Sequence, residues 1–214
     1  MKILSSNSKT GSNVTGCSVP RKRCCPGMSA LCAFLCYVKR YARRFAATKK
    51  RPRNTLGRFL RNPKKFYNDL KKEINESSSK YIRIHVEGDF FSRSYISLWE
   101  RIIKACPDKL FYSYTRAWNT KFRGPVLKLS RLPNVKIWAS CDSSMPRPIN
   151  VGLPTAYLMK DDQDVPPYKV DMVFRNSRRT VLKRVSGSRV CPHEDGTNSG
   201  ITCSTCKLCL PEIQ

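Results

Sequence analysis

Between Tyr81 and Ser140 the chain repeats one rhythm, and that rhythm narrows the fold more than any other feature. Tyr81-Ile82-Arg83-Ile84-His85-Val86 is a short run rich in β-branched and aromatic residues, as a strand requires. Ser94 to Cys106 then places Tyr95, Ile96, Leu98, Trp99, Ile102 and Ile103 at the spacing of an amphipathic helix. A second strand is expected at Leu110-Phe111-Tyr112-Ser113-Tyr114-Thr115, a second helix from about Arg123 to Leu132, and a third strand at Val135-Lys136-Ile137-Trp138-Ala139-Ser140. Strands alternating with helices fold as right-handed βαβ units. The expected class is therefore α/β, either a partial (β/α) barrel or a mainly parallel sheet. A full eightfold barrel takes ~250 residues, so a chain of 214 would close only part of one.

Outside this stretch the signals thin. Residues 1–23 are rich in Ser, Asn, Thr and Gly and read as an extended or loop segment. Ser29 to about Phe45 turns helical, the Pro52 and Pro63 neighbourhoods are expected to break helices, and a further helix is expected from Pro63 to Asn75. Fainter strands are expected at Ala156 to Met159 and Tyr168 to Phe174. The natural divisions are 1–75, an N-terminal basic helical region; 76–185, an α/β core continuous with it; and 186–214, a small cysteine-rich module. That last stretch has little hydrophobic content, so a metal is expected to hold it together.

Charge points to a partner. Forty-one Lys and Arg against fifteen Asp and Glu leave a formal charge of +26. No acidic residue precedes Asp69, while Arg21, Lys22, Arg23, Lys39, Arg40, Arg43, Arg44, Lys49, Lys50, Arg51, Arg53, Arg58, Arg61, Lys64 and Lys65 crowd the same third of the chain. Phosphate backbones attract such a surface by counterion release, so nucleic acid or another phosphate-rich partner leads; a solvated basic face is the plainer alternative. No apolar run approaches the ~20 residues of a membrane helix. The most apolar stretch, residues 28–38, lies too far in for a signal peptide. A cytoplasmic location without a membrane partner is expected. There, eleven cysteines are poor disulfide candidates and read as metal ligands or catalytic groups.

Two cysteine groups stand out. Cys191, followed by Pro192, joins Cys203, Cys206 and Cys209, which repeat as C-x2-C-x2-C. Tetrahedral zinc modules usually draw two separated C-x2-C pairs, whereas three cysteines in close succession wrap neighbouring irons of one cluster, so 4Fe-4S is favoured with zinc as the alternative metal. His193, two residues past Cys191, is a candidate substitute ligand, with a surface histidine the favoured reading. Cys25, Cys32 and Cys36 form the second group, with Cys32 and Cys36 on one face if their helix is continuous. Three ligands leave one iron open, the arrangement catalysis uses; a fourth from Cys24 or Cys17 would close it. Cys106 and Cys141 read as small packed residues, and His85 as a core histidine.

Ligands of parallel α/β folds bind past the carboxyl ends of the strands. Those positions carry Glu87-Gly88-Asp89, Thr115-Arg116 and Cys141-Asp142-Ser143. Acidic residues are scarce, which singles out Glu87, Asp89 and Asp142 as candidate catalytic groups; helix capping and a glycine turn explain each singly.

Together, Asn7-Ser8-Lys9, Cys25-Pro26-Gly27 with Cys32 and Cys36-Tyr37, Ile82 through Phe90, Phe111 through Thr115, and Cys191-Pro192 with the closing triplet resemble the phage and plasmid gene product eighty-eight family, over nearly the whole chain. The layout is also similar to a short radical S-adenosylmethionine (SAM) enzyme with a SPASM-like auxiliary cluster. That likeness implies Cys25, Cys32 and Cys36 on three irons, SAM on the fourth, Gly88 and Asp89 near its amino group, and Ser140 and Asp142 near its ribose or the substrate. One or two 4Fe-4S clusters and a reductant such as flavodoxin or ferredoxin would follow. The spacing departs from the usual C-x3-C-x2-C, Tyr37 follows the last cysteine where an aromatic usually precedes it, and Glu87-Gly88-Asp89 only approximates Gly-Gly-Glu. Two further readings stand beside it: a non-catalytic, zinc- or iron-sulfur-stabilised nucleic-acid-binding protein, and a nicking enzyme with Tyr95, Tyr112 or Tyr114 as nucleophile.

Overall fold

The computed structural model describes residues 2–39, 46–175, 189–195 and 200–211. Seven parallel strands form one sheet in chain order: β1 (Val14–Ser18), β2 (Tyr81–Glu87), β3 (Leu110–Thr115), β4 (Val135–Cys141), β5 (Thr155–Met159), β6 (Met172–Arg175) and β7 (Arg189–Val190). The described helices are α1 (Arg21–Cys24), α2 (Ala30–Leu35), α3 (Ala46–Arg61), α4 (Pro63–Glu76), α5 (Arg93–Ala105), α6 (Arg123–Leu129), α7 (Pro192–Asp195) and α8 (Cys203–Cys206), with a 3-10 turn at Ala117–Asn119. The α/β expectation and its parallel sheet hold. No described helix is long and apolar enough to cross a membrane.

The sheet buries both faces, as parallel sheets do. On one face Ile82, Ile84, Phe111 and Ile137 join the inward residues of the helices in the main core. Helix α5 contributes Tyr95, Ile96, Leu98, Trp99, Ile102 and Ile103, all buried, and Ser92 caps its start by accepting a hydrogen bond from the Tyr95 N–H at 3.2 Å. Burying one such side chain is worth ~1.5–3 kcal/mol, so this stripe sets how α5 lies. The alternate strand residues face the other way: Val14, Tyr81, Leu110 and Tyr112 pack on Leu210, and Trp138, Ala156 and Met172 pack on Cys191. The carboxyl-terminal segment thus covers the face that the helices leave open.

Several local expectations are corrected. Residues 14–18, read as loop, form the edge strand β1, buried at all five positions and paired with β2. Gly16 allows this closeness, because a Cβ there would lie 2.5 Å from Val86 Cγ2. The helix expected from Ser29 to Phe45 is interrupted: α2 stops at Leu35, Cys36 has ψ 113° and leaves the helix, and residues 37–39 are helical again, so Cys32 and Cys36 do not share one continuous helical face. Residues 40–45, with Arg40, Arg43 and Arg44, lie outside the described residues. Pro52 sits inside α3 without ending it. Of the strand expected at 168–174, only Met172–Arg175 pairs, and β7 had no signal in the sequence.

His85 is a core histidine, as expected. Its Nδ1 lies 3.3 Å from Ser113 Oγ, its ring meets Phe90 edge-on at 4.7 Å, and Nε2 has no hydrogen-bond partner among the described residues. Burial, with Arg83 nearby, drops its pKa to about 3. Cys106 and Cys141 are buried small residues, and Cys17 is likewise fully buried in the main core.

Candidate functional site

The loop after β1 carries the first cysteine group, and its path is dictated by close backbone contacts. The Val19 N–H donates to the Glu87 carbonyl at 2.9 Å, extending the β1–β2 pairing to the point where β2 ends. Gly88 follows with φ +90°, and a Cβ there would lie 2.5 Å from the Val19 carbonyl oxygen. Both facts demand glycine. Gly88→Ala is expected to lower stability on the order of 3 kcal/mol in a urea titration; a loss below about 0.5 kcal/mol, the scatter of neutral surface changes, would mean this crossing is not rigid. Gly27 is jammed in the same way against β3's end, its would-be Cβ 2.3 Å from the Arg116 carbonyl oxygen.

Ser29 then seats the loop. Its hydroxyl caps α2 by accepting from the Cys32 N–H at 3.0 Å and donates to Asp142 Oδ2 at 2.6 Å. Arg116 completes the triangle, its Nη1 2.6 Å from the same carboxylate oxygen and 3.1 Å from Ser29 Oγ. The Ser144 N–H and hydroxyl donate to the other Asp142 oxygen at 3.0 and 2.7 Å. Burial alone would raise the Asp142 carboxyl, but Arg116, Ser29 and Ser144 together hold it below the ordinary range. Asp89 is equally engaged: Phe90 N–H and the Thr115 hydroxyl donate to Oδ1 at 2.7 and 2.5 Å, and the Arg116 N–H to Oδ2 at 2.8 Å. Burial outweighs these donors and pushes Asp89 up to about 6.

Asp142 therefore fastens the cysteine loop to the end of β4 through Ser29, while Asp89 ties the turn after β2 to the end of β3. Glu87 differs: its one hydrogen-bond partner among the described residues is the Arg21 N–H, at 3.1 Å, and burial raises its carboxyl. Ser140 is half-buried at the end of β4, and its carbonyl accepts from Trp118 Nε1 at 2.9 Å.

Cys25, Cys32 and Cys36 lie near enough for each to bear on the others' thiols, but they do not converge on one point as ligands of a single ion would. Burial raises the Cys25 thiol, and Asp89, Cys32 and Cys36 raise it further. Burial also raises Cys32; Arg116 opposes, while Cys36, Asp142 and Asp89 add to the rise. Thiols in such company hold their protons unless a cation enters among them, which is the behaviour of a metal-binding donor set. Cys24 is buried beside Cys25, its thiol pushed up to about 12 by burial.

The second group assembles on the opposite sheet face. The Cys203 N–H donates to the Lys9 carbonyl at 2.9 Å, the Ser204 N–H to the Thr10 carbonyl at 3.1 Å, and Trp138 Nε1 to the Cys209 carbonyl at 3.0 Å. Burial raises Cys209, and Cys203 and Cys206 raise it further; burial pushes Cys191 up to about 12, with Cys209 among its neighbours. His193 is exposed, its ring Nδ1 3.0 Å from the Ile201 carbonyl. Among the described residues no three His, Cys, Asp or Glu side chains converge as a single-ion site requires.

Tyr37 and Arg83 lie between the groups. The Tyr37 hydroxyl donates to the Val86 carbonyl, and the ring stands near Cys36 and Arg83; Arg83 in turn neighbours Tyr112, Tyr114 and Cys203. Sequence reasoning missed Ser29 and Arg83, and placed Arg116 at a strand end without a role. The cap position of Ser29 was legible, but no local signal pairs it with Asp142, 113 residues away. The tyrosine-nucleophile reading fails, since Tyr95 and Tyr112 are 0% and 1% exposed and the Tyr114 ring packs on Trp138 and Phe174.

Comparison with known proteins agrees with the resemblance seen in the residues. A mycobacteriophage L5 protein described as Gene 88 protein is 29% identical over 136 residues, 61% of this chain and 51% of that protein. Its counterpart in mycobacteriophage D29 is 27% identical over 149 residues, 66% of this chain and 56% of that protein. The chain thus aligns with about half the length of the curated relatives it matches. No solved structure matches. The profile of the family described as Gene product 88 matches residues 2–212, and the chain belongs to that family.

Proposed function

We propose that this is an iron-sulfur protein of a phage or mobile element, with Cys25, Cys32 and Cys36 holding a 4Fe-4S cluster open at one iron, and that it acts as a radical SAM-like enzyme on an anionic substrate. The observation that carries the reading is the docking of the cysteine loop, through Ser29, onto the buried Arg116–Asp142 pair at the carboxyl ends of the parallel strands. A cubane cluster binds each thiolate through a different iron, so its ligands surround a volume, which suits three neighbouring thiols on one loop. When bound, such a cluster supplies one-electron reduction of SAM, with electrons from a reductant such as flavodoxin or ferredoxin.

The chain's own residues then divide the work. Asp142 positions the loop through Ser29, and Asp89 holds the turn after β2 onto the end of β3, since the oxygens of both are engaged by protein donors. Glu87, with a single donor, is the carboxylate free to meet a ligand or move a proton, and Gly88 and Ser140 border the same strand ends. Cys191, Cys203, Cys206 and Cys209 would ligate a second cluster fully; a structural zinc, the alternative metal, would have to draw them closer than they stand. All eleven cysteines are free thiols, which suits a reducing cytoplasm. The alternative, a non-catalytic metal-stabilised nucleic-acid binder, draws on the basic surface of α3.

Protein purified without oxygen is expected to contain iron and acid-labile sulfide, with an electron paramagnetic resonance spectrum after reduction that SAM perturbs. Replacing Cys25, Cys32 and Cys36 together by Ala should abolish the SAM effect and leave the iron of the other group. Zinc without sulfide would discard the enzyme reading.

A further inference from the structure

The cations of α3 and the start of α4 are arranged for an outside partner. Sixteen residues of α3 carry Lys49, Lys50, Arg51, Arg53, Arg58 and Arg61 and no acid, and Lys64 and Lys65 continue the run on α4. At 1.5 Å per residue the helix is ~24 Å long. Some exposed lysines elsewhere stand against carboxylates: Lys72 with Glu76, Lys104 and Lys128 with Glu100, Lys160 with Asp161. By contrast, among the described residues no carboxylate pairs with Lys49, Lys50, Arg53, Arg61 or Lys64; Asp69, which meets Arg58 at 2.9 Å and Lys65 at 3.5 Å, is the exception on this surface.

A recess beside the helix is lined by Lys2, Arg51, Asn54, Thr55, Arg58 and Arg61, four cations and two neutral polar residues. The Arg51 Nε is buried there without a hydrogen-bond partner among the described residues. Self-repulsion of this kind is relieved by phosphates. Single strands are gripped by stacking bases on exposed aromatic rings, and among the described residues this surface presents none: Phe59 and Phe66 are buried, and Tyr67 lies under Arg101 at 4.3 Å.

We infer that α3 and the recess beside it form a binding surface for the phosphate backbone of duplex nucleic acid, read without sequence preference. The inference stands apart from the metal reading, because no cysteine takes part.

The test is fluorescence anisotropy of the full chain with a labelled 20-base-pair duplex across a salt series. Lys49→Gln, Lys50→Gln, Arg53→Gln and Arg61→Gln together are expected to flatten the log–log salt slope by up to ~3.6, about 0.9 for each phosphate no longer neutralised. Lys72→Gln, Lys104→Gln, Lys128→Gln and Lys160→Gln, which remove the same charge elsewhere, should change it by less than ~1. Circular dichroism and metal content of both variants control for folding. Equal slopes for the two variants, an unchanged slope for the first, or tighter binding of a single strand of the same length would each overturn the proposal. Loss of metal from the wild type alone would overturn the iron-sulfur reading and leave this one standing.

Discussion

Arg116→Ala is expected to destabilise the protein by about 3–5 kcal/mol, the range for breaking a buried ion pair from one side. The Asp142 side chain is fully buried and that of Arg116 is 8% exposed, so removing the guanidinium leaves a carboxylate with no countercharge and no water. The damage should spread, because Arg116 also contacts the Ser29 hydroxyl that caps α2 and seats the Cys32 turn. Urea denaturation measures the loss. The conservative Arg116→Lys keeps the charge but not the reach to both Ser29 and Asp142, and should recover only part of it. If Arg116→Ala falls within about 1 kcal/mol of the wild type, the value for a surface pair, the triangle does not anchor the loop.

Acid should weaken the fold through His85. Its folded pKa of about 3 lies below the ordinary 6.5, so above that ordinary value the histidine is neutral in both states and its contribution is fully present. As pH falls below 6.5 the unfolded chain takes up a proton that the folded core refuses, and stability declines until the folded pKa is passed. Well inside that window each unit of pH is worth ~1.4 kcal/mol, and because the unfolded histidine is already half protonated at pH 6.5, the loss from this residue between pH 6.5 and 4.5 is ~2.3 kcal/mol. His85→Phe places a ring of similar shape among Phe90, Tyr95 and Trp99. It should remove that part of the pH dependence while leaving Ser113 the weaker hydrogen bond to the Tyr114 carbonyl. Unfolding free energies at pH 6.5 and 4.5 for both proteins decide the matter; parallel pH profiles would mean that other groups govern acid sensitivity.

The βαβ core was legible because each of its elements carries its own signal. The strands at 81–87, 110–115 and 135–141 and helix α5 lie within a residue or two of where hydrophobic period and strand composition put them. Strand β1 was not legible: Val14-Thr15-Gly16-Cys17-Ser18 is short and half polar, and becomes a strand only because β2 offers it a partner edge. The carboxyl-terminal segment shows the same dependence, since Leu210 and Cys191 are buried by sheet residues far away in the chain.

For the candidate site, cysteine spacing marked both thiol groups, and strand ends marked Glu87, Asp89 and Asp142, all of which the fold brings to one end of the sheet. The sequence by itself determined the α/β class, the family, the two cysteine groups and the basic surface of α3, because period, spacing and charge are local properties. Only the tertiary structure decided that Asp89 and Asp142 are bound up in anchoring while Glu87 stays open. A carboxylate's role depends on which donors reach it and on how far it is buried, and those donors come from residues such as Ser29, Thr115 and Arg116 that only folding brings near.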